Sequence, residues 1–270
     1  MKYSGDSVLV MVLLLFAFSG CTQATRTPRT PSADVPHIKV MSYNVNYGLA
    51  GDASIIDVIE SAGCQVVFLQ ETTPEWEKAL RETFDEKYPY IDFRHSRGAG
   101  GLAILSMFPF DSKELIEPPR GGWFPAWRIV LDTPLGKIQA LNVHLRPQVS
   151  DSGSVVSGYF TTDTIRERQM ERFVKYLDPD LPTLIVGDFN ENRSGDAVAH
   201  LLQKGYKSAL PEFSPYQDTW RWKTSLGTIT SQLDHIAYDR RLEPLNVWVL
   251  RAGTSDHLPL VGIFELSRTL

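Results

Sequence analysis

Short runs of Val, Ile and Leu recur from residue 38 to residue 264, and segments with helical spacing separate many of them. Runs of this length between turn residues indicate strands. The clearest predicted strands are Ile38–Tyr43, Val66–Leu69, Leu102–Leu105, Trp127–Leu131, Ile138–Leu145, Leu184–Val186, Leu233–Ala237, Val247–Leu250 and Leu260–Phe264. Such a mixture predicts an α/β domain in which helices cover mixed β-sheets.

Between these runs, apolar residues three or four positions apart indicate amphipathic helices. The predicted helices lie around Ile55, Ile56 and Ile59, around Trp76 and Leu80, over Ile165–Leu177 and over Ala197–Leu202. Pro74 suits the first turn of the second one. The sequence contains neither an internal repeat nor a second linker, so residues 37–270 are predicted to form one domain.

An uncharged apolar run, Val8–Phe18, lies near the N-terminus and is followed by Ser19, Gly20 and Cys21. The run is too short to span a bilayer and suits a secretion signal. The small residues before Cys21 resemble the lipobox of bacterial lipoproteins, in which the cysteine is lipidated and becomes the new N-terminus. We therefore predict a signal peptide at residues 1–20, lipid attachment at Cys21 and a flexible tether over residues 21–36.

A lipid on Cys21 would attach the exported domain to a membrane. Thr22 resembles the residue that follows the cysteine in lipoproteins sent to the outer membrane, so an outer-membrane or periplasm-facing location is expected. The alternative is an ordinary signal peptide and a secreted protein. The second cysteine, Cys64, lies in an apolar stretch, which predicts a buried and unreactive thiol.

The overall charge is mildly acidic, with 27 basic and 32 acidic residues and a formal net charge of −5. A protein held to nucleic acid by its overall charge should be basic, so this balance weighs against that mode of binding. It does not exclude a local basic patch. Two cysteines cannot build a disulfide framework, and a hydrophobic content of 43% is typical of globular domains.

Side chains able to do chemistry follow one predicted strand after another. They are Asn44 in MSYNVNYG, Glu71 in VVFLQE, His144 in LNVHLRP, Asp188 and Asn190 in LIVGDFN, Asp234 and His235 in QLDHIAY, and Asp256 and His257 in TSDHLPLVG. Strand ends are where sheets build ligand sites. A single Asp or Asn after a strand is most often a turn or a helix cap, so the prediction of a site depends on the whole set.

The residue types in this set suit phosphoester hydrolysis. Oxygen ligands without cysteine select a hard cation, usually Mg²⁺, and Mn²⁺ is possible. A metal ion and a protonated histidine would neutralise charge on phosphoryl oxygens, while a carboxylate would orient or deprotonate water.

In order and spacing, these segments resemble the endonuclease/exonuclease/phosphatase superfamily, which has the fold of deoxyribonuclease I. The resemblance covers residues 37–270, and GDFN and SDHLP are its most specific motifs. It implies a four-layer α/β sandwich, with two mixed β-sheets packed face to face and helices outside. It also implies a metal-dependent phosphoester hydrolase, foremost a phosphodiesterase that acts by in-line attack of water on phosphorus.

The resemblance assigns the metal site to Asn44, Glu71 and Asp256, with Glu71 as the direct ligand. His235 stands where the family pattern is variable, so a structural role is expected for it. Arg166 and Gln169, in the segment RERQ, are expected to brace a helix or loop.

The remaining residues would act on the phosphate. By the same resemblance, Asp188 would orient or deprotonate the attacking water, and Asn190 would hold a phosphate oxygen. His257 would contact the scissile phosphate, oriented by Asp234 through its other ring nitrogen. His144 would stabilise the developing negative charge. One of four arginines is also expected to bind phosphate: Arg97, Arg120, Arg128 or Arg146.

Substrate choice lies in the loops, which are predicted at Arg94–Gly101, Glu117–Pro125, Pro147–Thr164 and Pro211–Thr228. Aromatic residues in two of them could stack on bases, lie at a lipid interface or cover the rim of the core. Nucleic acid, phospholipid and inositol phosphate are therefore all open as substrates. A phosphomonoesterase of the same fold is the alternative activity, and a non-catalytic binding module is a third possibility. A monomer is expected.

Overall fold

The computed structural model describes residues 25–149, 162–225 and 227–268. The strands are β1 Ile38–Asn44, β2 Val66–Gln70, β3 Tyr90–Arg94, β4 Leu102–Ser106, β5 Phe110–Ile116, β6 Ala126–Thr133, β7 Gly136–His144, β8 Thr183–Asp188, β9 Lys207–Ser208, β10 Trp220–Thr224, β11 Gly227–Ser231, β12 Asp234–Tyr238, β13 Leu242–Val249 and β14 Leu260–Leu266. The α-helices are α1 Ala53–Ser61, α2 Pro74–Phe84, α3 Asp163–Val174, α4 Asp196–Gln203 and α5 Leu210–Phe213. Short 3₁₀ turns occupy Tyr47–Leu49 and Gly98–Gly100.

Two six-stranded sheets form the centre of the fold. The first has the strand order β13-β14-β1-β2-β4-β3 and the second β5-β6-β7-β8-β12-β9. Both are mixed, because β1 and β2 are parallel in the first sheet and β7 and β8 are parallel in the second, while the neighbouring pairs are antiparallel. Strands β10 and β11 form a separate hairpin. The predicted fold class, two mixed sheets in an α/β sandwich, is confirmed.

Three apolar clusters divide the sandwich into layers. The central cluster lies between the sheets and includes Phe68, Ile104 and Trp127. Helices α1 and α2 contribute to a second cluster on the first sheet, and α3 and α4 contribute to a third on the second sheet. Each fully buried Leu or Ile side chain contributes about 1.5–3 kcal/mol, so these interfaces hold the layers together.

Strand direction brings the predicted site residues to one end of both sheets. In the second sheet, β7 and β8 end side by side, with His144 opposite Asp188. Strand β12 runs antiparallel to β8 and begins there, so Asp234 also lies opposite Asp188. In the first sheet, β1 ends at Asn44 beside the end of β2.

Gly187 is required by the backbone at this end of β8. Its φ of +139° is rarely accessible to other residues, and a Cβ there would lie 1.9 Å from the carbonyl oxygen of Val143. The glycine therefore lets β7 and β8 approach closely just before Asp188.

Part of the chain differs from the prediction. The segment Pro211–Thr228 was predicted as a loop, but it contains the end of α5, all of β10 and the start of β11. Strand β5, FDSKELI, was also missed. Both β5 and the hairpin expose most of their side chains, so the apolar alternation that indicates a half-buried strand is weak in them.

The predicted signal peptide, Cys21 and residues 150–161 of the predicted loop at 147–164 lie outside the described residues. No helix within the described ranges is long and apolar enough to cross a membrane. Cys64 is fully buried, as predicted, and burial raises the pKa of its thiol to about 12, which disfavours the reactive thiolate.

The described part of the tether is held against the domain by two arginines. Arg26 forms ion pairs with Glu212 of α5 and, at 2.6 Å, with Glu243 of β13. Arg29 approaches Glu243 to 3.2 Å and Glu265 to 3.6 Å. The segment therefore docks at one place on the surface, whereas the predicted domain boundaries stay a prediction.

Candidate active site

Asp188, the last residue of β8, stands at the centre of the polar cluster and is 1% exposed. Its Oδ2 accepts a hydrogen bond from Asn44 Nδ2 at 3.1 Å and lies 3.5 Å from Nε2 of both His144 and His257. Its Oδ1 accepts the backbone N–H of Asn190 at 2.8 Å. The carboxylate is thus fixed by two donors and faces two imidazole rings.

His257 is oriented and charged by carboxylates. Its Nδ1 lies 2.9 Å from Oδ2 of Asp234, which is fully buried and whose backbone N–H donates to Thr219 Oγ1. Burial alone would lower the pKa of His257, but the negative charges of Asp234 and Asp188 raise it to about 10. The carboxylates therefore favour the protonated ring, whose Nε2 faces Asp188.

His144 is held by a backbone carbonyl and an aromatic ring. Its Nδ1 lies 3.0 Å from the oxygen of Ala99, so this nitrogen carries the hydrogen, and the ring of Phe124 packs against the imidazole at 4.5 Å between centroids. Its Nε2 lies 3.9 Å from Glu71 Oε1. The ring therefore presents Nε2 to the same space as His257.

Glu71 follows β2 with a φ of +62°. Its Oε1 accepts a hydrogen bond from Asn44 Nδ2 at 3.0 Å, and its Oε2 accepts the backbone N–H of Tyr47 at 3.2 Å. A positive φ is uncommon in a residue other than glycine, and such conformations cluster at functional sites.

Asp256 is tied to the same group by a residue that the sequence prediction missed. Asn46 donates from Nδ2 to Asp256 Oδ1 at 3.1 Å and from its backbone N–H to Asn44 Oδ1 at 3.1 Å. Trp220 Nε1 donates to Asp256 Oδ2 at 3.0 Å. Burial would raise the pKa of Asp256, but the charge of His257 and these hydrogen bonds lower it.

These residues fit a divalent hard cation. The carboxylates of Glu71, Asp188, Asp234 and Asp256 converge, and in the described part of the chain their recorded ion pairs are with histidines alone. Ligand atoms of Asp188, Asp234 and His257 lie within 4.8 Å of one another, but Asp234 and His257 already bind each other. Glu71, Asp256 and Asn44 offer the oxygen ligands that Mg²⁺ or Mn²⁺ prefers, and their assignment as the metal site stays a prediction.

Residues 41–257 match the Endonuclease/Exonuclease/phosphatase family. The chain belongs to this family. A search among curated protein sequences finds no significant match. Together, family membership and the geometry above indicate a metal-dependent phosphoester hydrolase.

Solved structures share the fold at low sequence identity. A conserved protein of unknown function from Enterococcus faecalis V583 superposes with a TM-score of 0.66 at 18% identity, covering 85% of this chain and 100% of that one. The human Nocturnin catalytic domain with bound sulfate gives 0.64 at 18% identity, over 86% and 94%. TDP2 from D. rerio, complexed with single-strand DNA product, gives 0.65 at 17% identity, over 85% and 99%.

In the present chain, Asn190 has a φ of +52° and is 9% exposed. One N–H of its side-chain amide donates to Leu145 O at 3.1 Å, and its backbone carbonyl accepts from Gln148 Nε2 at 3.0 Å. The residue therefore lies beside Asp188 with part of its amide already used. Its predicted role in holding a phosphate oxygen stays a prediction.

Arg166 and Gln169 brace the active-site loops, as predicted. Arg166 is fully buried and bonds Glu191 Oε2 at 3.1 Å and the carbonyl of Arg146 at 3.2 Å. Gln169 Oε1 accepts the backbone N–H of Arg146 at 2.9 Å. His235 is also structural: its Nε2 lies 2.9 Å from Glu191 O, and burial lowers its pKa to about 4.

The aromatic residues of the loops have different surroundings. Trp127 is fully buried and belongs to the core, so it is not available for contact with a substrate. Trp123 is 42% exposed and lies under the guanidinium of Arg146, 3.5 Å from the ring centroid. Tyr216 and Trp222 are 87% and 50% exposed. These exposed rings are the candidates for substrate contact.

Proposed function

We propose that the chain is a Mg²⁺-dependent phosphodiesterase, able to use Mn²⁺, that hydrolyses its substrate by in-line attack of water on phosphorus. The observation that carries this proposal is the position of Asp188 Oδ2, 3.5 Å from Nε2 of both His144 and His257. A water held by the carboxylate would lie beside two groups suited to phosphoryl oxygens, which is the arrangement that this hydrolysis needs.

Each residue has a task that follows from its contacts. Asp188, whose Oδ2 faces both rings, would accept a hydrogen bond and then a proton from water. His257, kept protonated by Asp234, would donate from Nε2 to a phosphoryl oxygen and stabilise the charge that develops on it. His144 would present Nε2 to the second side of the phosphate.

Glu71, Asp256 and the side-chain oxygen of Asn44 would hold the cation, and Asn46 would keep the last two in place. When bound, the cation supplies positive charge that polarises the phosphoryl group. A diester carries one negative charge and a monoester up to two, so the crowding of carboxylates here favours the diester.

Nucleic acid is the first candidate substrate. It is supported by the exposed Tyr216 and Trp222, which offer faces for base stacking, and by the fold shared with a TDP2 solved with single-strand DNA product. A phospholipid is the second candidate, because Trp222 and Ile229 face each other across the β10–β11 hairpin and are 50% and 52% exposed.

The predicted lipid on Cys21 bears on the choice between nucleic acid and phospholipid as the substrate. If Cys21 is lipidated, its lipid lies within about 18 Å of Arg26, since five residues span at most about 3.6 Å each. Arg26 is held by Glu212, which also accepts the hydroxyl of Tyr238 at the end of β12 remote from Asp234. Asp234, at the other end of this five-residue strand, lies about 13 Å from Tyr238, so an anchored enzyme could reach both a lipid and a water-soluble phosphodiester.

A paired assay tests the activity. Bis(p-nitrophenyl) phosphate and p-nitrophenyl phosphate are supplied with Mg²⁺, with Mn²⁺ or with EDTA. We expect the diester to be cleaved faster and cleavage to stop in EDTA. Preference for the monoester would favour the phosphomonoesterase, and activity that persists in EDTA would reject the metal-dependent mechanism.

A fractionation experiment tests the anchor separately. Expressed with its signal in a bacterium that processes lipoproteins, the Cys21→Ala protein should leave the membrane fraction, whereas the Cys64→Ala control, which keeps the lipobox, should stay in it. Equal distribution of the two variants would contradict lipidation at Cys21.

A further inference from the structure

A recess beside the catalytic residues has no role in the mechanism above. Its volume is about 320 Å³, and its lining includes Asn192, Arg193, Ser194, Tyr216, Gln217 and Gln232. We call it the side recess. A volume near the lower end of the range for ligand pockets, roughly 300–1,000 Å³, suits one small planar group better than a duplex.

The side recess is connected to the active site by short stretches of chain. Asn192 lies two residues after Asn190, and Gln232 lies two residues before Asp234. Two residues span at most about 7 Å between Cα atoms, so this wall of the recess adjoins Asn190 and Asp234 of the proposed active site. The hydroxyl of Thr219 accepts the backbone N–H of Asp234 and so fixes the same wall.

Tyr216 supplies an aromatic face to the side recess. The residue is 87% exposed, and the guanidinium of Arg193 lies 5.4 Å from its ring centroid. An aromatic ring this exposed adds little to the stability of the core, because it buries almost no apolar area. A ring flanked by a cation is the arrangement on which bases stack.

Gln232 supplies an unused polar group. It is 8% exposed, and its Nε2 has no hydrogen-bond partner among the described residues. A buried donor without a partner is costly, whereas a ligand acceptor would satisfy it. By contrast, Gln217 is already engaged through both amide atoms, with Asp218 O and Arg251 Nη2. Carboxamides of this kind recognise the edges of nucleobases.

We propose that the side recess binds the nucleobase of a nucleotide adjacent to the scissile phosphate, with Tyr216 stacking on the base and Gln232 bonding its edge. The inference rests on the proposed phosphodiesterase and names its substrate class: a nucleotidyl phosphodiester, as in short or single-stranded nucleic acid. A lipid phosphodiester lacks the planar polar group that this recess accommodates.

Two diesters with the same leaving group test the proposal in the Mg²⁺-loaded enzyme. Thymidine 5′-(p-nitrophenyl phosphate) carries a base, whereas methyl p-nitrophenyl phosphate carries a methyl group and no second planar ring. The readout is the ratio of kcat/KM for the first substrate to that for the second. We expect Tyr216→Ala and Gln232→Leu each to lower this ratio about five-fold or more, the lower end of what one stacked base contributes.

Tyr90→Ala is the matched control, since Tyr90 is 40% exposed on β3 and lies outside the side recess; it should keep the ratio of the wild type. Circular dichroism melting verifies that each variant is folded. A ratio that stays unchanged in both Tyr216→Ala and Gln232→Leu would overturn the proposal.

Failure of the underlying activity gives a different result. If the wild type cleaves neither diester, the proposed function is rejected, and the recess is judged by calorimetric titration with thymidine 5′-monophosphate. Binding that is lost in Tyr216→Ala and kept in Tyr90→Ala would support the recess. Absence of binding to the wild type, or equal binding to both variants, would reject it.

Discussion

Asp188 and His257 approach each other at 3.5 Å between Oδ2 and Nε2, across the gap between the two β-sheets. Asp188 ends β8 of the second sheet, whereas His257 lies in the loop just before β14 of the first. The pair therefore exists only when both sheets are packed in register. The proposed mechanism therefore requires that the central core is packed.

The charge of His257 depends on Asp234, which leads to a prediction about pH. Replacing Asp234 with Asn removes the carboxylate that raises the pKa of His257 most, so the imidazolium should lose its proton at a lower pH. We expect the rate of Asp234→Asn to fall more steeply between pH 6 and pH 8 than that of the wild type. Parallel pH–rate profiles would contradict this role for Asp234.

Asn46 should control the affinity for the metal ion without binding it. Its side-chain amide holds Asp256 Oδ1, and Asn46→Ala removes this bond, whereas the backbone N–H that holds Asn44 Oδ1 stays. Residues that orient ligands typically change metal affinity 10–100-fold when replaced. We expect Asn46→Ala to need about that much more Mg²⁺ for half-maximal activity. Asn246→Ala, a partly exposed asparagine on β13, is the control. An unchanged Mg²⁺ requirement in Asn46→Ala would refute the assignment.

His235 should make the fold sensitive to acid. Burial lowers its pKa to about 4, whereas the unfolded chain binds the proton near the ordinary value of about 6.5. The contribution of neutral His235 to the free energy of unfolding is therefore fully present above pH 6.5 and is lost as pH falls toward 4. At pH 5 the loss relative to pH 7 is about 2 kcal/mol. Urea unfolding of the wild type and His235→Gln at both pH values measures it, and an equal loss in the two proteins would contradict the prediction.

Gly187→Ala should destabilise the protein strongly, because its Cβ would lie 1.9 Å from Val143 O at a φ of +139°. We expect a loss of more than about 1 kcal/mol in the free energy of unfolding. Gly136→Ala separates strain from collision: its φ is +83°, but no atom lies within 4 Å of the added Cβ. Thermal unfolding of the two variants should rank Gly187→Ala well below Gly136→Ala.

Much of the framework could be predicted because its signals are local. Strands β2 and β8 are buried along their whole length and read as continuous apolar runs, and the residues at or just past their ends, Glu71 and Asp188, stand out as polar. Asn46 could also have been found, since it lies two residues after Asn44 and repeats the same residue type.

Other features depend on contacts that are distant in sequence. The β10–β11 hairpin exposes most of its side chains, so its sequence lacks the apolar alternation by which a half-buried strand is predicted. Arg26 binds glutamates more than 180 residues away, so nothing near it in the sequence predicts that it docks. Gln232 is unusual only because its buried Nε2 has no hydrogen-bond partner within the described ranges, which composition cannot show.

The most direct test of the central claim is the rate of Mg²⁺-dependent cleavage of bis(p-nitrophenyl) phosphate by Asp188→Asn, compared with Asp132→Asn, an exposed carboxylate on β6. Asparagine keeps the shape of Asp188 but cannot take a proton from water. The account predicts that Asp188→Asn loses about 10²–10⁴-fold in kcat while Asp132→Asn keeps the wild-type rate. A rate for Asp188→Asn equal to that of the wild type would contradict the account.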